Sequence, residues 1–139
     1  MSKNNTIVLD ENLHKSPHLY SDSILIETFS IHDITEVQSL IHQNLKPFLG
    51  SSSMLAGTFR RLRNLWQNYQ EEGSLLLLAK KKNVYLTKIL GCIGLGPLHG
   101  LALSEGLGEI HDFVVSPEFR RQGIGSVLLK NCLEKAVSY

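Results

Sequence analysis

Between Glu109 and Tyr139 a strand, a glycine-containing turn and a helix follow one another without interruption. Ile110-His111-Asp112-Phe113-Val114-Val115 has the apolar, β-branched make-up of a strand. Ser116-Pro117-Glu118-Phe119 turns the chain. Arg120-Arg121-Gln122-Gly123-Ile124-Gly125 then leads into a helical pattern. Ile124, Leu128, Cys132 and Ala136 form one apolar row, with Leu129, Leu133 and Val137 beside it. The order is constraining because the first turn of a helix carries N–H groups with no partner inside the helix. Together with the helix dipole they favour an anion. Gly123 and Gly125 let that anion approach the main chain with no Cβ in the way, and Arg120 and Arg121 add positive charge. Tight packing of the strand against the helix is the other use two such glycines have. The paired arginines favour the anion.

Two familiar phosphate loops do not fit. A P-loop requires Gly-x-x-x-x-Gly-Lys-Ser/Thr, and no lysine follows these glycines. A dinucleotide-binding turn requires a third glycine three places after the second, where this chain has Leu128, and a regular βαβ repeat that is missing here.

The rest of the sequence supplies the sheet and helices around this unit. Residues 1–22 are polar and aperiodic and read as an N-terminal arm, leaving residues 23–139 as the domain. Ile24 to Phe29 reads as the first strand. Asp33 with Glu36 three places on makes an N-cap with a capping box. From Ile34 a helix places Val37, Leu40, Ile41 and Leu45 on one face, and Pro47 and Gly50 end it. A second helical region starts at Ser51-Ser52-Ser53. Its Leu55, Phe59, Leu62, Trp66 and Tyr69 form a core-facing stripe, while Arg60, Arg61, Arg63 and Asn64 read as a solvated face. Gly73 closes it.

Ser74 to Ala79 is a continuous apolar run, expected to be a strand buried on both faces, and Lys80-Lys81-Lys82-Asn83 reads as the turn after it. Thr87 to Leu95 is the next strand, with Gly91 and Gly94 marking a bulge or a close backbone approach. Gly96-Pro97 stops it, and His99 to Gly108 is a loop. The order strand, helix, helix, strand, strand, strand, helix is an α/β arrangement, α+β-like with a mixed sheet, and not the alternation of a doubly wound one.

At 139 residues the chain is one domain by size. With 14 basic and 13 acidic residues, it lacks the charge that general nucleic-acid or membrane-surface binding needs. Cys92 and Cys132 stand in no metal-ligand spacing and read as buried, reduced thiols in a cytoplasmic protein. No metal and no membrane segment are expected.

The segment Phe113-Val114-Val115-Ser116-Pro117-Glu118-Phe119, followed by Arg120-Arg121-Gln122-Gly123-Ile124-Gly125, resembles the GNAT family of N-acetyltransferases. The signature of that family is Arg/Gln-x-x-Gly-x-Gly/Ala, between its fourth strand and third helix. The resemblance is specific over residues 109–137 and looser from residue 24 onward. It implies an acyl-CoA N-acyltransferase fold and acetyl-CoA as co-substrate. The main chain of Phe113, Val114 and Val115 would bond the pantetheine arm like an added strand. The N–H groups of Arg121, Gln122, Gly123, Ile124, Gly125 and Ser126 would hold the pyrophosphate, with the Arg120 side chain near the phosphates. Acetyl would pass directly from the thioester to a primary amine. A general base frees that amine of its proton, and a main-chain N–H, of Val114 or Val115, faces the thioester oxygen.

Glu109 lies fourteen residues before Gly123 (123 − 109), the spacing of the glutamate base in the histone-acetyltransferase branch. It is the first choice as base. His111, two residues on and therefore on the same side of a regular strand, is the second. Asp112 points to the other face unless a bulge intervenes, and is left out.

The resemblance also implies further elements beyond this helix: a fifth strand that opens the cofactor cleft, a fourth helix carrying an acidic tyrosine, and acceptor-binding strands. A chain whose sequence stops at Tyr139 is expected to lack them, and Tyr139 takes no acid role. The expectation is then a truncated domain whose last strand is an open, apolar edge. The alternative to an active transferase is a CoA-binding remnant that forms a homodimer through that edge. The amine acceptor, small molecule or protein, is not written in the sequence.

Overall fold

The computed structural model of the chain describes residues 7–8, 23–48, 50, 52–82, 86–98 and 108–138. Most of the segment read as an arm lies outside the described residues, with Ser51, Asn83, the loop at 99–107, Tyr139 and the Leu55 side chain.

Five strands, β1 (Ile7–Val8), β2 (Ser23–Thr28), β3 (Leu75–Lys82), β4 (Thr87–Pro97) and β5 (Gly108–Val115), lie in that order in one sheet. Every described pairing is antiparallel, so the sheet is not mixed. The short β1 falls inside the segment read as an arm: Ile7 pairs with Ile26 and Val8 with Leu25. The helices are α1 (Ile34–Leu45), α2 (Ser52–Arg63), the four-residue α3 (Leu65–Asn68) and α4 (Ile124–Ala136).

The central strand β3 is buried on both sides, as its unbroken apolar run predicts. Leu76 and Leu78 pack with Val37, Ile41 and Leu65 beneath α1–α3, whereas Leu77 and Ala79 pack with Ile124 and Leu128 of α4. Each fully buried Leu or Ile of these layers contributes about 1.5–3 kcal/mol of burial. In α4 the row Ile124, Leu128 and Cys132 is buried, but Leu133 and Val137 of the neighbouring row are exposed. Phe59 also departs from the expected stripe. It is half exposed and lies tilted on the His42 ring, 5.2 Å between centroids, while Trp66 meets Phe29 edge-on at 5.3 Å.

Two expectations change. The lysines after Ala79 do not turn the chain: Lys80, Lys81 and Lys82 continue β3 and pair with Leu25, Ile24 and Ser23 of β2. The buried Lys80 ammonium lies 3.0 Å from Glu27 and 2.9 Å from Asp33, and Lys82 takes the other Glu27 oxygen at 2.9 Å. A charge run thus becomes strand because opposite charges meet it across the face. Burial alone would lower the Lys80 pKa, yet the hydrogen bonds and charges of Asp33 and Glu27 outweigh it and leave it raised. Burial would likewise raise Glu27 and Asp33, but their lysine partners hold both below the usual range.

The second change concerns the start of α1. Asp33 is the N-cap of α1, where the sequence pattern puts it, but its side chain makes no capping bond there; the helix follows on from the 3-10 turn Ile31–Asp33. Asp33 reaches back to accept from the Ser30 N–H at 2.9 Å and its hydroxyl at 3.0 Å. Glu36 accepts instead from the Ile89 N–H at 2.9 Å. That donor sits beside an irregularity where Leu90 is the extra residue, Ala79 pairing with Gly91 and Lys80 with Ile89.

Candidate active site

β5 is the last strand of the described sheet, paired on one edge with β4. Its register is regular at first, with Glu109 opposite Gly96, Ile110 opposite Leu95 and His111 opposite Gly94. It resumes with Val114 opposite Cys92. Between these points the single residue Ile93 faces two on β5, Asp112 and Phe113, and this is a β-bulge. Asp112 has φ 50°, a left-handed conformation that a short polar side chain tolerates better than most.

The bulge overturns the strict alternation read from the sequence. His111 shares the side of its cross-strand partner Gly94. A Cβ added to Gly94 would lie 2.1 Å from the Tyr69 hydroxyl, so that side is the α1–α3 side. The Asp112 carboxylate accepts from the same Tyr69 hydroxyl at 2.6 Å, and it pairs with the Arg61 guanidinium. Asp112 therefore joins Glu109 and His111 on one face. Glu109 and His111 are both partly exposed, with Oε2 and Nε2 3.8 Å apart; the Asp112 side chain is only 4% exposed.

The surroundings of Asp112 are closed by three residues the sequence reading gave other uses. Arg61, assigned to a solvated helix face, reaches across from α2. Tyr69, assigned to the core stripe, is the hydroxyl donor. Burial, and then the neighbouring Asp112 charge, push its pKa well up, so the phenol keeps its proton and donates. Cys92 supplies its thiol to the Asp112 carbonyl, Sγ to O 3.1 Å; burial and the Asp112 charge push that thiol up to about 12. The one sequence signal for this cluster is Gly94, an interior strand glycine of the kind that admits a close approach.

Beyond Val115 the chain leaves the sheet. The Ser116 N–H donates to the Leu90 carbonyl at 2.7 Å, and Pro117–Phe119 forms a 3-10 turn. Arg121 has φ 62° and Gly123 φ 82°, and Gly123 is the N-cap of α4. The Val127 N–H bonds the Gly123 carbonyl at 3.1 Å, so the N–H groups of Ile124, Gly125 and Ser126 precede the first helical bond.

The two glycines divide the work. No atom lies within 4 Å of a Cβ added at Gly123, whereas one at Gly125 would touch Phe113 and Val115 at 3.6 Å. The open side is at Gly123 and the packing contact is at Gly125, where β5 backs on α4. Ile124 is buried, Arg121 and Ser126 are exposed, and the Gln122 Oε1 is buried without a hydrogen-bond partner. The Arg120 side chain is committed to protein groups: Nε donates to the Val115 carbonyl at 3.2 Å and Nη2 to the Asn44 Oδ1 at 2.6 Å. It fastens the turn to the end of β5 and to α1.

A cavity of about 320 Å³ lies elsewhere, between α4 and strands β2 and β3, lined by Ile26, Thr28, Leu77, Asn131, Glu134, Lys135 and Ser138. It includes none of the site residues read from the sequence. Among the described residues no group of three His, Cys, Asp or Glu is placed to hold a metal, and no helix is long and apolar enough to cross a membrane.

Residues 39–139 match the model of the Acetyltransferase (GNAT) family. No curated protein is significantly similar in sequence. Among solved structures, a GNAT-family acetyltransferase from Staphylococcus aureus Mu50 is similar with TM-score 0.62 and 21% identity, over 83% of this chain and 67% of that one. A GNAT-family acetyltransferase from Brucella melitensis, solved in complex with acetyl-CoA, gives TM-score 0.62 and 18% identity over 83% and 69%. An aminoglycoside 6'-N-acetyltransferase complexed with coenzyme A gives 0.55 and 18% over 81% and 55%. The chain thus spans about two-thirds of the first two and just over half of the third. The family match covers most of the chain and includes the bulged strand and the turn at Gly123: the protein belongs to the GNAT acetyltransferase family.

Proposed function

We propose that this protein is an acetyl-CoA-dependent N-acetyltransferase that passes acetyl directly to a primary amine. The observation that carries the reading is a juxtaposition. The end of β5 leads, through the 3-10 turn Pro117–Phe119, into an αL turn whose open side lies at Gly123, at the positive end of α4. The Brucella neighbour, solved with acetyl-CoA, and the aminoglycoside acetyltransferase, solved with coenzyme A, support the same ligand class.

The residues present fit coenzyme A. The amides of residues 121–126 surround a turn with two left-handed positions, a geometry that gathers N–H groups on one anion. No side chain fills the space beside Gly123. On this reading the main chain of Phe113, Val114 and Val115 holds the pantetheine arm, and the Val114 or Val115 N–H faces the thioester oxygen. Bound there, acetyl-CoA supplies an activated acyl group.

Glu109 takes the role of base, directly or through a water, and removes the proton that would keep the acceptor amine from attacking. His111, 3.8 Å from it, is the second choice. The C–N bond forms as the C–S bond breaks. The sulfur leaves with the electron pair and takes up, directly or through water, the proton that the nitrogen sheds on becoming an amide, while the Val114 or Val115 N–H stabilises the charge that develops on oxygen.

Titration calorimetry with acetyl-CoA, followed by a thiol-release assay over a panel of primary amines, tests this. Saturable binding and amine-dependent thiol release are expected. No binding at millimolar acetyl-CoA would refute the reading. Binding without release over the panel would leave a coenzyme A-binding protein that is not a transferase. The state of association in solution tests edge pairing, against which a monomer would count.

A further inference from the structure

Asp112 costs the chain something and receives something in return. A non-glycine residue at φ 50° sits where bulges of this geometry usually carry glycine. Its carboxylate is almost fully withdrawn from water, yet it faces two donors from a different layer, the Tyr69 hydroxyl and the Arg61 guanidinium. Its carbonyl, displaced from the regular ladder by the bulge, takes the Cys92 thiol. Gly94 has no side chain, and only so can Tyr69 lie against β4 at that point. Four residues from two elements, α2 and β4, and the turn after α3 are thus arranged around a single strained residue, immediately before the main chain assigned to the pantetheine arm.

We infer that Asp112 is a positioning residue: held by Tyr69 and Arg61, it locks the β5 bulge and so sets the direction of the Phe113–Val115 main chain that receives the acetyl-pantetheine arm. The inference rests on the acetyl-CoA reading. Backbone amides cannot turn independently of the strand, so an arm that binds as an added strand is only as well placed as the bulge before it. The same clamp ties α2, through Arg61, and the segment after α3, through Tyr69, to the thioester end of the site. The helical layer and the acyl-binding strand therefore move together.

Asp112→Gly and Asp112→Asn separate this role from a simple backbone requirement. Glycine accepts φ 50° without strain but removes the clamp. Asparagine tolerates the same φ and keeps an acceptor for Tyr69 while losing the charge. In the free protein, Asp112→Gly is expected to speed hydrogen exchange at the amides of residues 113–115 by about tenfold or more. Exchange in β3 should be unchanged, and Asp112→Asn should lie between. With acetyl-CoA, Asp112→Gly should bind about tenfold more weakly, and Asp112→Asn should recover most of the loss.

A glycine variant whose exchange and affinity match the wild type overturns the inference. So does exchange that rises equally in β3, which marks general destabilisation. Wild-type protein that binds no acetyl-CoA overturns the acetyl-CoA reading instead, while the exchange data still report whether the clamp holds the bulge.

Discussion

The Tyr69 hydroxyl donates a 2.6 Å hydrogen bond to the Asp112 carboxylate, joining the end of the helical layer to a bulge in the outermost described strand. The bond exists because Gly94 has no Cβ: one placed there would sit 2.1 Å from that hydroxyl and 2.8 Å from the ring carbon bearing it. Gly94→Ala must therefore displace Tyr69 or part β4 from β5, since the His111 carbonyl is also only 2.9 Å away. We expect a loss of about 2–3 kcal/mol in urea unfolding, combining overpacking with a broken bond to a charged group. Tyr69→Phe should cost less in the Gly94→Ala background than in wild type, because the bond is already lost. Additive losses in that double-mutant cycle would show the two residues to be independent.

The glycines of the turn should respond differently from each other. Gly123 lies at φ 82° with open space around it, and Gly125 has only ordinary contacts at 3.6 Å. Gly123→Ala should cost about 1 kcal/mol of stability through backbone strain alone. Gly125→Ala should fold as the wild type does, while Gly125→Leu, too large for the contact with Phe113 and Val115, should abolish acetyl-CoA binding. Calorimetry and thermal unfolding on the three variants read this directly, and undiminished affinity in Gly125→Leu would remove the phosphate from this turn.

Much of this site is legible in the sequence because it is local. The run from Ile110 to Gly125 sets strand, turn and helix start from consecutive residues, and the left-handed Gly123 follows from its place just before Ile124. Period-three and period-four spacing likewise gives α1 and the buried row of α4. What escapes is the product of long-range pairing. Nothing near Lys80 announces that Glu27 and Asp33 will neutralise it and let the strand continue. The bulge that turns Asp112 toward Glu109 and His111 depends on Tyr69 and Arg61, which are adjacent only in the folded chain. Alternation is a sound rule for a regular strand, and it fails at Asp112 because one extra residue reverses every side chain after it.

The buried lysine predicts a pH profile. Glu27 and Asp33 have folded pKa values below their ordinary 4.5 and 3.8. Their contribution is complete above those values and is lost as pH falls through the lower, folded ones. Lys80 is raised above 10.5, so its contribution is complete below that value and is lost as pH rises through the folded one. Stability should therefore be flat across the neutral range and fall at both extremes. Lys80→Met, which leaves two carboxylates facing each other without their shared cation, should cost about 3 kcal/mol at neutral pH. It should also make the acid limb shallower, because Asp33 and Glu27 lose their shared cation while Lys82 still holds Glu27 and Ser30 still holds Asp33. Urea midpoints at pH 3, 7 and about 11.5 measure both effects, and a Lys80→Met protein with an unchanged acid limb would contradict them.

The two cysteines should be inert in the native state. Cys92 is fully buried and Cys132 almost so, and burial raises both thiols, Cys92 to about 12. Since the thiolate is the reactive form, a disulfide-exchange reagent at pH 8 should modify neither residue until the chain opens. Both should react within the mixing time in denaturant. Between those limits the rate at Cys92 reports the clamp itself. Its thiol is bonded to the Asp112 carbonyl, so loosening the bulge by Asp112→Gly should expose Cys92 sooner than Cys132, which belongs to α4 and packs on the opposite face of the sheet. Following the two residues separately by mass spectrometry distinguishes a local opening at β5 from global unfolding. Equal acceleration at both sites would show that the bulge has no stability of its own to lose.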